Sequence, residues 1–367
     1  MKRLKISIIG TGKLGLCLAL NLETAGNQLV CYDKDHNYVN SLRTKSFNSL
    51  EPGVNKLLKF SRDILFTTDI KNALENDIIF IVVNTPSLSS GKYDHSNINC
   101  CLEQIKNLGY QKYRKDIIIN CTTFPGYCES VSAELKRNNC YISYNPEFIA
   151  QGNIIEDQRQ ASSIIIGQAD QQAGDLIEYL NKCFSKVEAE VHRMSPTEAE
   201  IVKLSINCFL TTKISYANII GDLALRMNCS PDVVLKAIGE DSRIGQKYLQ
   251  YGFGYGGPCF PRDNKALIAC AKNQNINPVL FEATDESNIS HLKNQVDYYV
   301  TNNTDKSKPV VLEHVTYNKN SFSIEESQQL KYALGLIENG FKIKLEDQRP
   351  EALSKISNIK GFINESL

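Results

Sequence analysis

Apolar positions in the first half of the chain come as short β-branched runs separated by longer mixed stretches. The runs at 4 to 9 (Leu-Lys-Ile-Ser-Ile-Ile), 28 to 32, 77 to 83, 115 to 120, 139 to 143 and 161 to 166 are each the size of a strand, and helix-like segments lie between them. Alternation at this spacing predicts an α/β fold with a parallel, doubly wound sheet up to about residue 190. The pattern then changes. Ser195 can cap a helix, Pro196 suits a first helical turn, and neither glycine nor proline interrupts 197 to 220, so one long helix is expected. Val202, Ile206, Phe209, Leu210, Ala217 and Ile220 give it more apolar surface than a lone surface helix needs. It reads as a central helix that joins domains and pairs two subunits in a homodimer. Helices at 230 to 238, 263 to 273 and 279 to 301 would complete an all-α middle segment. After the polar stretch 302 to 308 come a strand at 309 to 315, a helix at 324 to 338 and a strand at 341 to 345, a small C-terminal α/β unit. The expected division is 1–194, 195–301 and 302–367.

Bulk composition narrows the classes of partner. In 367 residues, 41 basic side chains balance 41 acidic ones, so no global field favours nucleic acid or an anionic membrane, and an anionic ligand must be held by local groups. No apolar run approaches a membrane span, and Met1 to Lys5 lead straight into a strand pattern rather than a secretion signal. The twelve cysteines are scattered, with one adjacent pair, Cys100-Cys101, and no C-x-x-C; reduced thiols in the cytoplasm are expected. The five histidines lie far apart in the sequence, without the spacing of a zinc site, and no metal is expected.

Two glycine-rich segments carry the candidate chemistry. Gly10-x-Gly12-x-x-Gly15, with Lys13 and Leu14 inside it, follows the first strand and opens a helix, and Asp33 closes the second strand. Such glycines permit a tight turn and close approach of a pyrophosphate to the helix N-terminus, while the carboxylate accepts from a ribose hydroxyl pair. Asp33 would repel a 2′-phosphate, so the cofactor is expected to be NAD, with Lys34 beside it tempering the choice. The second segment, Gly252 to Asp263, has four glycines in its first six residues and presents Cys259 between Pro258 and Phe260, with Asp263 four residues later. It reads either as a displayed nucleophile or as a tight turn around a packed thiol. Lys203 and Asn207, four apart on the long helix, share a face. Strand-end positions add Asn84-Thr85-Pro86, Thr122-Thr123 and the run Asn145 to Gly152, where α/β folds place ligand contacts.

Together the ordered motifs Gly10-x-Gly12-x-x-Gly15, Thr85-Pro86, Thr123-x-Pro125, Asn145-Pro146-Glu147-Phe148, Glu200-x-x-Lys203-x-x-x-Asn207, Asp241-x-Arg243-Ile244-Gly245 and Gly254 to Asp263 resemble the UDP-glucose/GDP-mannose dehydrogenase family from Lys5 to about residue 292. That resemblance implies a four-electron oxidation of a nucleotide sugar's primary alcohol by two hydride transfers to NAD, with Cys259 forming a thiohemiacetal and then a thioester. It further implies that Lys203 and Asn207 stabilise an oxyanion, Asp263 helps activate water, and Thr123 and Glu147 assist water and proton transfer. Thr85, Thr123, Gln151 and Arg262 fall at cofactor positions, and Glu147, Phe148, Ile149, Lys203, Asn207, Arg243, Tyr248 and Gly256 at sugar positions. Two departures stand out. Gln151 replaces a glutamate common in the family, and Asn318 and Glu325 fall where members carry a lysine and an arginine that grip the nucleotide. Two other readings stay open: a non-catalytic NAD or nucleotide-sugar binding protein, and a two-electron β-hydroxyacid-type dehydrogenase.

Overall fold

The computed structural model describes residues 3–149, 151–347, 349, 353–354 and 356–363. Ala150, within the Asn145 to Gly152 run, lies outside the described residues, as do 364–367 at the end of the expected C-terminal unit. The chain divides into two compact units, Met1–Lys203 and Leu204–Leu367.

In the first unit the strands are β1 (Lys5–Ile9), β2 (Gln28–Tyr32), β3 (Ile64–Thr67), β4 (Ile78–Ile81), β5 (Lys115–Ile119), β6 (Cys140–Tyr144), β7 (Ser163–Gly167) and β8 (Glu190–Met194). They form one sheet in the order β3-β2-β1-β4-β5-β6-β7-β8. Strand order reverses between β2 and β4 on either side of β1, which opens a crevice at the carboxyl ends of β1 and β4. Isoleucine-rich strands are buried on both faces, as a parallel sheet covered by helices requires. Ile6 and Ile8 pack with the helix Lys13–Thr24 on one side. Ile9, Ile79 and Ile117 pack with the helices Ser96–Lys106 and Tyr127–Arg137 on the other. The expected parallel, doubly wound sheet is present, with one antiparallel pair in it, β6 and β7, joined at Tyr144 and Gly167. β3 and β8 extend the sheet beyond the strands expected from the sequence: β3 (Ile-Leu-Phe-Thr) is only four residues long, and β8 (Glu-Val-His-Arg-Met) carries too few apolar residues to stand out.

The helix Pro196–Arg226 runs 31 residues and begins in the first unit. It continues past Ile220 through Gly221, where the sequence pattern had marked its end. In the second unit the helices are Pro231–Gly239, Phe260–Asn273, Val279–Asn302 and Gln328–Glu338. A parallel sheet of β9 (Val310–Leu312), β10 (Ile343–Leu345) and β11 (Phe362–Ile363) runs in the order β11-β10-β9. Val310, Ile343, Leu345, Leu336 and Phe341 form its core with Val296. The strand expected at 309 to 315 stops at Leu312, and the helix expected from 324 starts only after Ser327, whose hydroxyl accepts from the Leu330 amide and caps it. No helix among the described residues is long and apolar enough to cross a membrane.

Candidate active site

The turn after β1 is built by close packing. At Gly10, φ is +94° and a Cβ would collide with the Val82 carbonyl; at Gly15 it would collide with the Gly10 carbonyl. Only glycine allows this turn, which hands the chain from strand to helix. The side of Gly12 is open, and Gly12 and Lys13 are exposed while Leu14 is half-buried. Gly12 is the N-cap of the helix Lys13–Thr24 and offers no side-chain cap, so first-turn amides can meet an anion. Asp33 locks the opposite lip: its carboxylate accepts from the Thr11 amide at 3.1 Å and the Asp35 amide at 3.2 Å. Tyr38 Oη donates to the Thr11 carbonyl at 2.7 Å. Lys34 is exposed beside them and Thr85 is buried after β4. An open anion cradle facing a half-buried carboxylate fits the adenosine half of NAD.

A second cluster in the same unit centres on Glu147. Lys203 Nζ donates to the Glu147 carbonyl at 2.7 Å and sits 4.5 Å from the Phe148 ring centroid. The Glu147 carboxylate accepts from Gln158 Nε2 at 3.3 Å. Burial pushes this carboxyl up to about 7, against the lowering pull of Asn120, Gln158 and the Lys203 charge. Ile149 and Gln151 are half-buried in the same strand-end segment and Phe148 is exposed. Thr123 is fully buried, and its hydroxyl donates to Glu200 at 2.7 Å.

Two buried carboxylates shape this region without standing out in the sequence. Glu200 also accepts from the amides of Gly126 at 2.6 Å and Cys128 at 3.0 Å, so it fixes the turn that starts the helix Tyr127–Arg137. Glu51 accepts from the Gly152 amide at 2.8 and 3.0 Å and holds the turn after Gln151. Glu200 sits in the Glu200-x-x-Lys203 motif, which was its only signal; Glu51 offered none.

The raised Glu147 carboxyl predicts a stability change with pH. An ordinary carboxyl near 4.5 in the unfolded chain ionises before the folded one near 7, so the folded state binds the extra proton within that window. The stability it confers is complete below about 4.5 and is lost as pH rises through about 7. Glu147→Gln should therefore gain on the wild type with rising pH, reaching on the order of 3 kcal/mol above that window. Thermal denaturation from pH 4 to 8 measures it; a variant whose Tm runs parallel to the wild type disproves the shift.

In the second unit Cys259 is exposed at the N-cap of the helix Phe260–Asn273, three residues longer at its start than expected because Pro261 is tolerated in a first turn. The Asp263 amide donates to the Cys259 carbonyl at 2.8 Å. Asp263 is 1% exposed, and its carboxylate accepts from Asn207 Nδ2 at 2.6 Å. Arg262 Nε lies 3.8 Å from the same carboxylate. Cys259, Asp263, Arg262 and Asn207 are thus brought together. Arg243 is not drawn in: it lies in solvent, clamped on Asp241 at 2.6 Å. Tyr248 is 49% exposed, with φ +62°.

At Gly256 and Gly257 the chain itself packs against the loop. A Cβ on Gly256 would collide with the Glu326 carbonyl, and the Gly257 amide donates to the Glu325 carbonyl at 3.1 Å. Asn318 closes a turn by accepting from the Asn320 amide at 2.9 Å, and Glu325 meets the loop through its backbone carbonyl. Lys319 pairs with Glu313 at 3.3 Å on the surface. Gly256→Ala should destabilise the protein by about 1–3 kcal/mol, since the obstacle is backbone. Urea denaturation checks it; a change below about 0.5 kcal/mol would show that the segment yields.

Comparison with known proteins agrees with these elements. Residues 4–185 match the NAD-binding domain of the UDP-glucose/GDP-mannose dehydrogenase family, and residues 197–290 match that family's central domain. The UDP-glucose 6-dehydrogenase TuaD of Bacillus subtilis is 31% identical over 97% of this chain and 78% of its own length. A UDP-glucose 6-dehydrogenase of Pseudomonas aeruginosa is 33% identical over 78% of this chain and 65% of its own. Among solved structures, a UDP-glucose dehydrogenase from Pyrobaculum islandicum superposes with a TM-score of 0.88 at 26% identity, covering 99% of this chain and 87% of that one. The chain therefore belongs to the UDP-glucose/GDP-mannose dehydrogenase family and is an NAD-dependent enzyme of the nucleotide-sugar 6-dehydrogenase class.

Proposed function

We propose that the enzyme oxidises the C6 primary alcohol of a nucleotide sugar, UDP-glucose being the first candidate, to the uronate through a thioester on Cys259. The observation that carries this reading is an exposed thiol at a helix N-terminus, followed by a buried Asp263 that Asn207 holds in place. NAD, when bound, supplies the two-electron acceptor for each oxidation. Between the two, the Cys259 sulfur adds to the aldehyde carbon to give a thiohemiacetal. Loss of hydride from that carbon gives a thioester; water then attacks the acyl carbon, and the thiol leaves with a carboxylate as product. The helix N-terminus favours negative charge at the sulfur. Lys203 stabilises the developing oxyanion, with Asn207 adding a hydrogen bond. Asp263 assists the attacking water, and Glu147, held near 7, exchanges protons at working pH. Thr123 assists water and proton transfer, held by its bond to Glu200. Phe148, Ile149, Arg243, Tyr248 and Gly256 are assigned to the sugar side, and Thr85, Gln151 and Arg262 to the cofactor.

The same reading includes a homodimer formed through the long helix, where Phe209, Tyr216, Ile219 and Leu223 are exposed at helical spacing. It also includes a cytoplasmic location and the division 1–194, 195–301 and 302–367. A panel of UDP- and GDP-sugars, with NADH counted per sugar consumed, tests the activity. Two NADH and a uronate are expected. One NADH with an aldehyde identifies a two-electron dehydrogenase, and NAD binding without NADH from any sugar identifies a binding protein.

A further inference from the structure

Tyr251 and Gly252, the residues that lead into the cysteine loop, are gripped from two helices. The Gly252 amide donates to Asn218 Oδ1 at 3.1 Å, and its carbonyl accepts from Gln295 Nε2 at 3.0 Å and faces His291 Nε2 at 2.7 Å. The other ring nitrogen of His291, Nδ1, lies 2.9 Å from the Asp222 carboxylate. That carboxylate also accepts from Tyr251 Oη at 3.0 Å and Asn294 Nδ2 at 3.1 Å. Burial works against the Asp222 charge, yet His291, Asn294 and Tyr251 hold its carboxyl below the ordinary range.

A carbonyl and an ionised carboxylate can only accept hydrogen bonds. A neutral imidazole carries one N–H and would leave one of its two short contacts as lone pair against lone pair, whereas an imidazolium satisfies both. His291 is 2% exposed, so its positive charge needs the Asp222 partner it has. The neighbouring charged and titratable groups are Asp222 and Arg226 on the long helix, Tyr251 before the loop, and Asp297 and Tyr298 on His291's own helix. Together with Asn294 they line a cavity of about 190 Å³ beside the network.

We propose that His291 is a buried imidazolium that clamps the Gly252 carbonyl and so positions the loop presenting Cys259. It is a positioning residue, acting through the backbone, and the proposal rests on the reading of Cys259 as nucleophile. Removing the clamp lets the loop drift, and a misplacement of about 1 Å can cost about a hundredfold in rate.

Two measurements test it in the intact enzyme. With ¹⁵N-labelled histidine, the signal lost in His291→Gln, or assigned by replacing the other four histidines if that variant does not fold, should show two protonated nitrogens at pH 7.5. A neutral tautomer there overturns the proposal whatever the enzyme's activity. In His291→Gln, which keeps one donor, kcat and the alkylation rate of Cys259, read by mass spectrometry, should both fall about tenfold or more while KM for NAD stays put. Both staying within twofold of wild type also overturns it. If no sugar is oxidised at all, the proposed function fails, while the nitrogen signals and the alkylation rate still decide the clamp.

Discussion

Cys259→Ala should abolish uronate production, lowering kcat on the order of ten-thousand-fold, as loss of a covalent nucleophile does elsewhere. The variant should otherwise be a faithful enzyme. Cys259 is exposed, and alanine keeps the backbone carbonyl that accepts from the Asp263 amide. Stability should change by less than about 0.5 kcal/mol, and NAD affinity should be untouched because the anion cradle after β1 and the Asp33 carboxylate make no use of the thiol. The competing chemistry is specific: an aldehyde in water forms a hydrate, which can lose hydride without any thiol. That route would leave two NADH per sugar in the alanine variant. Retention of more than a tenth of wild-type turnover with this stoichiometry would refute the thioester. Cys100 and Cys229, the other exposed thiols, supply the control, since their alanine variants should turn over normally.

How much of this was legible in the sequence depends on what each residue answers to. The Gly10 loop and Asp33 were legible because a strand, a tight turn and a helix N-terminus each leave a local signature, and all three fall within about thirty residues. Cys259, Asp263, Lys203 and Asn207 were singled out through spacing and family resemblance, although the bonds they make span the sequence: Asn207 meets Asp263, and Lys203 meets the Glu147 carbonyl, each 56 residues away. Glu51 and His291 were not legible as site-shaping residues, and Glu200 only as part of its family motif. Each is a single titratable side chain in an ordinary helix or loop, and its importance comes from burial against distant backbone groups: Gly152 for Glu51, the 126–128 turn for Glu200, Gly252 for His291. Nothing in period or composition announces such a contact. The Gly254–Gly257 cluster shows the converse case. Its glycines were visible, but a backbone neighbour such as Glu326 calls for glycine as strongly as a ligand does.

Lys203→Met tests whether electrostatics or scaffolding sets the rate. Methionine keeps a long apolar stem that can cover the Phe148 ring while removing the charge that now lies 4.5 Å from it. Loss of a donor aimed at a developing oxyanion should lower kcat about a hundredfold to a thousandfold. A second effect follows from the same charge. Lys203 is one of the groups pulling the Glu147 carboxyl down against burial, which leaves it at about 7. As a proton acceptor Glu147 works when ionised, so the wild-type rate should climb as pH rises through about 7. Without the lysine charge the carboxyl rises further, and the climb should move to higher pH. A purely structural loss, from the donor missing at the Glu147 carbonyl, would lower the rate equally at every pH. A kcat profile from pH 6 to 9.5 therefore separates the two. A reduced rate with the midpoint still at about 7 would remove Lys203 from the electrostatics of Glu147 and leave it a scaffold; a reduced rate with a displaced midpoint places one charge behind both the oxyanion and the base.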